Sequence, residues 1–176
     1  ICLLEKGSEI GANILSGNVF QPNALDELIP NWKELNAPLN VPVTKDKIYY
    51  LLKNIGIPVP PFVMPNLNNH GNYVISLGNL CRWLGEQAEN LGVEVFPGFP
   101  ASKLIFENDE VVGVQTGDMG VSESGELKPG HELGIEIKAK MTILGEGCRG
   151  HLGKQIINKY NLSDGKDPQH YGIGFK

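Results

Sequence analysis

Two acids at strand ends carry the chemistry that can be read from this chain of 176 residues. The run Ile1-Cys2-Leu3-Leu4-Glu5 has the look of a buried β-strand closed by a carboxylate. In a doubly wound nucleotide-binding fold, that is where an acid accepts hydrogen bonds from ribose hydroxyls. The Gly-rich phosphate turn of such a fold lies roughly 20 residues before the acid, so the chain is expected to be an interior piece of a larger protein. The second acid is Glu146, in Ile143-Leu144-Gly145-Glu146-Gly147-Cys148-Arg149-Gly150. Glycine has no Cβ, so backbone N–H groups there can come close to a phosphate or sugar, and Glu146 can accept from a ribose or ribityl hydroxyl. Read singly, Glu5 is more often a surface acid, and the glycine turn is as often a tight strand-to-helix connection. The two together are more specific than either.

Other reactive side chains give less. His70, between Asn69 and Gly71, reads as a turn histidine, and His151 as a residue at a helix start. No side chain is nominated as catalytic, and none as a metal ligand. Cys2, Cys81 and Cys148 are odd in number and far apart, which fits thiols in a reducing compartment and no zinc or iron–sulfur spacing. Ile48 to Leu52 and Ile55 to Pro65 are strongly apolar, interrupted chiefly by Lys53 and Asn54. Such a stretch either packs under another domain or lies in a membrane interface with lysine at its rim, and the residues alone favour packing. Ile10 to Pro30 is a second candidate for membrane contact.

The elements that must position these residues alternate α and β, with hairpin insertions. A short helix is expected from Asn23, as N-cap, to about Ile29, before Pro30. Prolines 38, 42, 58, 60, 61 and 65 leave only Asp46 to Lys53 as a strand in that segment. Tyr73 to Ser76 reads as a strand. Ser76 or Asn79 then caps a helix to about Leu91, with Leu80, Trp83, Leu84, Ala88 and Leu91 on its apolar face. Val93 to Phe96 is a strand, and Ser102 to Phe106 pairs with Val111 to Gln115 as a hairpin. Asp118 to Glu132 reads as an exposed loop, Ile135 to Ile137 as an edge strand, Met141 to Leu144 as a buried strand, and His151 to Tyr160 as a helix. The sum is an α/β protein with a mixed sheet.

The net charge of −5 and the lack of any basic cluster exclude a nucleic-acid surface. A hydrophobic content of 41% is enough for a real core. No run of about 18 apolar residues could span a bilayer.

The order of these features is that of two-domain FAD enzymes of the glutathione-reductase type. At the level of motifs the chain resembles the electron transfer flavoprotein–ubiquinone oxidoreductase family. The match is carried by Glu5-Lys6, Ile10-Gly11-Ala12, Leu15-Ser16-Gly17, Trp32-Lys33, Ala37-Pro38-Leu39, Asn68-Asn69-His70-Gly71-Asn72-Tyr73, Trp83 to Ala88, Glu146-Gly147-Cys148-Arg149-Gly150-His151-Leu152 and Tyr171-Gly172-Ile173-Gly174. The resemblance implies FAD, with Glu5 at the adenosine ribose, Lys6 also cofactor-binding, Gly11, Ser16 and Gly17 in a loop near the flavin, Ala101 on the adenine side, and Gly145, Glu146 and Gly147 as a second flavin contact. It also implies a [4Fe-4S] cluster whose ligands lie outside this chain. The implied partners are electron transfer flavoprotein, ubiquinone and a membrane surface, either the mitochondrial inner membrane or the bacterial cytoplasmic membrane. It reverses the preference for the apolar stretch, making Tyr49, Leu52, Ile57, Phe62, Val63 and Met64 membrane- or quinone-facing. The expected organisation is 1–36 and 76–160 in a partial FAD-binding domain, 37–75 as an apolar insertion, and 161–176 as the start of the next segment. The implied activity, electron-transferring-flavoprotein dehydrogenase, belongs to the intact protein, and the stretch alone is expected to be inactive. The alternatives are another FAD-dependent reductase or monooxygenase of the same fold, such as a geranylgeranyl-reductase-like enzyme, or a fragment without cofactor.

Overall fold

A computed structural model describes residues 1–15, 17–122 and 124–172. Strand β1 (Cys2–Glu5) is followed by β2 (Asn18–Phe20), helix α1 (Asn23–Leu28), β3 (Val41–Pro42), β4 (Ile48–Leu51), β5 (Gly56–Val59), two 3-10 turns (Pro61–Val63 and Pro65–Leu67), β6 (Tyr73–Ile75) and helix α2 (Leu77–Asn90). Then come β7 (Glu94–Pro97), β8 (Ala101–Glu107), β9 (Glu110–Thr116), β10 (Met119–Val121), β11 (Leu127–Glu132), β12 (Glu136–Lys138) and helix α3 (His151–Lys159). The architecture is mixed α/β, with several small sheets in place of one. The chain divides into two units: Ile1–Glu9 with the chain from Val93 on, and Ile10–Gly92.

In the first unit β1 and β7 run parallel, with Leu4 opposite Phe96 and Glu5 opposite Pro97. The β8–β9 hairpin turns through Asn108 and Asp109, both at positive φ, and β12 adds to β9 as an edge. Buried Leu104, Val114 and Leu152 form the core, with Leu4, Ala101, Leu144 and Ile156 packed around it. Gln155 fastens α3 to β8 by accepting from the Leu104 N–H (3.2 Å) and donating to the Ser102 carbonyl (2.9 Å). At the far edge Lys138 donates to Glu107 Oε1 at 2.6 Å, and that contact raises the pKa of the ammonium.

In the second unit β2, β6 and β3 form an antiparallel sheet over a core of Leu25, Trp32, Ala37, Leu39, Ile75, Leu80 and Trp83. Both indoles are tethered: Trp32 Nε1 donates to Asp26 Oδ1 (2.7 Å) and Trp83 Nε1 to the Leu35 carbonyl (3.0 Å). Ser76 caps α2 by accepting from the Asn79 N–H at 3.4 Å.

Several expectations need correction. Asn23 is the first residue of α1 and Pro22 its N-cap. Leu91, expected on the apolar face of α2, is 86% exposed as the C-cap. The 118–132 stretch is the β10–β11 hairpin and not a loop. A second strand, β5, runs through Pro58 opposite Tyr49; a two-stranded ribbon consists of edges, where a missing N–H is tolerated. Residues 141–144 are not in a strand, and Met141 and Ile143 are exposed. Of the apolar residues of that expected strand, Leu144 packs on the core.

Candidate functional site

The first unit brings Glu5, Lys6, Ala101, Gly145, Glu146 and Gly147 onto elements that share one core. Leu4 in β1, Ala101 at the start of β8 and Leu144 before the glycine turn all pack against Leu104, Val114 and Leu152. Glu5 thus sits at the carboxyl end of a parallel strand pair, the end at which open α/β sheets bind ligands. It is half-buried, while Lys6 is exposed. Glu5 Oε1 accepts from the Gly7 N–H at 2.5 Å. Gly7 is itself tied to the turn after β7, its carbonyl accepting from the Gly98 N–H (2.7 Å), and the Glu5 carbonyl accepts from the Phe99 N–H (3.1 Å). A carboxylate has about four lone-pair sites, so one N–H leaves acceptor capacity for hydroxyls.

The second acid is engaged differently from the simple reading. Glu146 Oε1 accepts from the Leu152 N–H (3.2 Å) and Oε2 from the Gly153 N–H (2.9 Å), at the N-terminus of α3. Gly150, the N-cap, has no side chain to offer, so Glu146 satisfies two of the four unpaired N–H groups of that helix end and complements its dipole. The chain turns toward the helix at Gly147, whose φ is +76°. A Cβ on Gly145 or Gly147 would meet nothing within 4 Å, so this backbone is bare and open to a ligand, which fits close approach of a cofactor.

Gly150, expected only as part of the glycine turn, makes room for Glu146: a Cβ there would lie 2.5 Å from both Cβ and Oε2 of Glu146. Gly150→Ala is therefore expected to push Glu146 off α3 and cost about 1–2 kcal/mol, the value of a lost cap. Gly145→Ala, facing open space, should cost much less. Urea midpoints of the two variants compare them, and equal losses would show that the cap contributes nothing. The sequence signal was faint, because an acid several residues before a helix has no fixed capping spacing.

Gly11 and Gly17 belong to the other unit, both at positive φ. Gly11 packs against α2: a Cβ on it would lie 2.5 Å from the Gly78 carbonyl oxygen. Ile10 covers Gly85, one heptad along the same helix. Ser16, and Ile173 and Gly174 of the family motif, lie outside the described residues.

The apolar stretch forms the β4–β5 hairpin and the two 3-10 turns. Its side chains face outward: Phe62 is 82% exposed, Leu51 77% and Tyr50 64%, and Tyr49, Leu52, Ile57, Val63 and Met64 are also exposed. The Asn-Asn-His-Gly-Asn-Tyr motif anchors the base of this hairpin. Asp46 Oδ2 accepts from the Asn69 N–H (2.8 Å) and Oδ1 from Asn69 Nδ2 (3.1 Å), while Asn69 Oδ1 accepts from Asn72 Nδ2 (3.2 Å). Beside it is a cavity of about 460 Å³. Among the described residues no helix is long and apolar enough to cross a membrane, and no three His, Cys, Asp or Glu side chains converge as a metal site.

No family model matches the chain. It is 58% identical over 180 residues to the electron transfer flavoprotein-ubiquinone oxidoreductase of Pseudomonas aeruginosa, covering all of this chain and 33% of that protein. It is 55% identical to the probable enzyme of that name from Acinetobacter baylyi, covering 31% of it, and 50% identical to the mitochondrial one of Homo sapiens, covering 29%. The chain thus spans about a third of the length of these relatives. Among solved structures, the crystal structure of Thermovibrio ammonificans THI4 superposes with a TM-score of 0.50 at 14% identity, over 91% of this chain and 52% of that one. That likeness concerns the fold.

Proposed function

The chain belongs to the electron transfer flavoprotein–ubiquinone oxidoreductase family, and from that premise we propose that the full-length protein passes electrons from reduced electron transfer flavoprotein to ubiquinone. The observation that carries this reading is identity of about half or more along the entire chain, to bacterial and mitochondrial members alike. In this reading the chain contributes part of an FAD-binding domain of the glutathione-reductase type. FAD, when bound, supplies the redox chemistry, and the protein supplies position and electrostatics. Glu5 holds ribose hydroxyls at the end of β1, with Lys6 and Ala101 beside it, and the bare backbone of Gly145 and Gly147 lets the cofactor approach. Glu146 keeps that turn on α3, and Gly11 and Gly17 are assigned to the flavin, as is Ser16, which lies outside the described residues. The [4Fe-4S] cluster takes its ligands from outside this chain. The β4–β5 hairpin, through Tyr49, Leu52, Ile57, Phe62, Val63 and Met64, faces the membrane and its quinone, in the mitochondrial inner or bacterial cytoplasmic membrane.

The test is reduction of a quinone analogue by the full-length protein, with reduced electron transfer flavoprotein as donor. Turnover with NADPH alone and none with the flavoprotein would overturn the assignment. At the residue level, Glu5→Ala is expected to weaken FAD binding by roughly 1.5–3 kcal/mol through lost charge-assisted hydrogen bonding to the ribose, read as a lower flavin-to-protein absorbance ratio after gel filtration. An unchanged ratio would remove Glu5 from the site.

A further inference from the structure

The acids assigned to the cofactor, Glu5 and Glu146, outnumber the single cation beside them, Lys6, and a flavin dinucleotide brings an anionic pyrophosphate of its own. The first unit holds a further cation at this place. Arg149 stands two residues beyond Gly147, the glycine at φ +76° whose backbone is bare. It is exposed and forms no ion pair among the described residues. Glu146, the nearest acid in sequence, already accepts from α3 N–H groups through both of its oxygens. The guanidinium is nevertheless held in place. Its Cζ lies over the Tyr171 ring, 5.4 Å from the centroid, and the Tyr171 hydroxyl donates in turn to Gln169 Oε1 (3.2 Å).

We propose that Arg149, positioned by Tyr171, takes the pyrophosphate of the bound dinucleotide. The inference rests on the FAD reading above and adds the countercharge which that reading lacks. In the cofactor the pyrophosphate follows directly on the adenosine ribose assigned to Glu5. A phosphate also uses the parallel N–H pair of a guanidinium, whereas the oxidised flavin ring is neutral and gains little from the charge. Stacking on Tyr171 restricts the rotamers of a long side chain before the ligand arrives, so less entropy is lost when the contact forms.

The experiment is titration of the full-length protein, stripped of its flavin, with FAD and with riboflavin, which lacks the phosphates, followed by flavin fluorescence. Arg149→Gln should raise the Kd for FAD about ten- to hundred-fold and leave that for riboflavin unchanged. Added salt should weaken FAD binding to the wild-type protein more steeply than to this variant. Arg149→Lys keeps the charge without the fork and should recover part of the loss. Tyr171→Leu should raise the FAD Kd about two- to five-fold, and Tyr171→Phe, which keeps the ring, by less. Unchanged FAD affinity in Arg149→Gln, an equal loss for riboflavin, or the same salt dependence as the wild type would overturn the phosphate contact. Wild-type affinity in Tyr171→Leu would overturn the positioning role of the ring. No FAD binding by the wild-type protein would overturn the FAD reading, and the contact with it.

Discussion

Trp83→Ala is expected to destabilise the unit that contains it by about 3–5 kcal/mol, the usual cost of removing a buried tryptophan. Trp83 is 7% exposed and sits with Leu25, Trp32, Ile75 and Leu80 in one cluster, holding α2 against the β2–β6–β3 sheet. It also reaches 48 residues back along the chain to donate to the Leu35 carbonyl. Truncation therefore opens a cavity and leaves that carbonyl without its indole donor. Trp83→Phe separates the two effects, since it keeps most of the ring volume and loses the donor; its loss should be nearer 1–2 kcal/mol. The measurement is urea unfolding of the full-length protein, followed by near-UV circular dichroism. A cost for the alanine variant no greater than for the phenylalanine variant would show that packing of this indole does not hold the unit together.

The helix that carries Trp83 was legible because its signals are local and agree with one another. Ser76 precedes an apolar face at helical spacing, and Gly92, at φ +84°, stops the helix. Helix α2 begins after Ser76, one of the two caps expected, and ends within a residue of expectation. The β8–β9 hairpin was legible for a similar reason: two alternating runs flank a polar turn, and Asn108 and Asp109 are residue types that tolerate positive φ. The 118–132 segment failed on composition. Gly120, Gly125 and Gly130 suggest a loop, yet Gly120 and Gly130 adopt positive φ within paired strands and Gly125 in the turn that joins them. Residues 141–144 failed for the opposite reason. An apolar run becomes a strand only where a neighbour pairs with it, and none of the described residues does so here; Thr142 Oγ1 is buried without a hydrogen-bond partner among them.

The candidate site was half legible. An acid at the end of an apolar strand is a local pattern, and Glu5 stands at the carboxyl end of a parallel pair. What Glu5 and Glu146 bond to is not local in the same sense. Gly7 accepts the bend only because the turn after β7 fastens it, and Glu146 reaches α3 only because Gly150 has no Cβ. Glycines read one at a time suggest freedom. Here Gly11, Gly78, Gly85 and Gly150 instead record where something else must come close.

Gly11 combines such a close approach with a positive φ, and Gly11→Ala is expected to cost about 2–4 kcal/mol. Its φ of +84° already penalises a side chain by roughly 1–2 kcal/mol. The new Cβ would also lie 2.5 Å from the Gly78 carbonyl oxygen and 3.1 Å from its carbonyl carbon. These are backbone atoms of α2, so no rotamer change relieves the overlap and the 10–14 loop must lift from the helix. Gly92→Ala is the matched control, with the same φ of +84° and nothing within 4 Å of its Cβ; it isolates the backbone penalty. The Gly11 variant should lose more urea stability than the Gly92 variant. If the 10–17 loop lies near the flavin as proposed, the Gly11 variant should also lose bound FAD while the Gly92 variant retains it. Equal losses in both measurements would mean that contact with α2 does not fix the loop, and a Gly11 variant that unfolds further yet keeps its flavin would move the loop away from the cofactor.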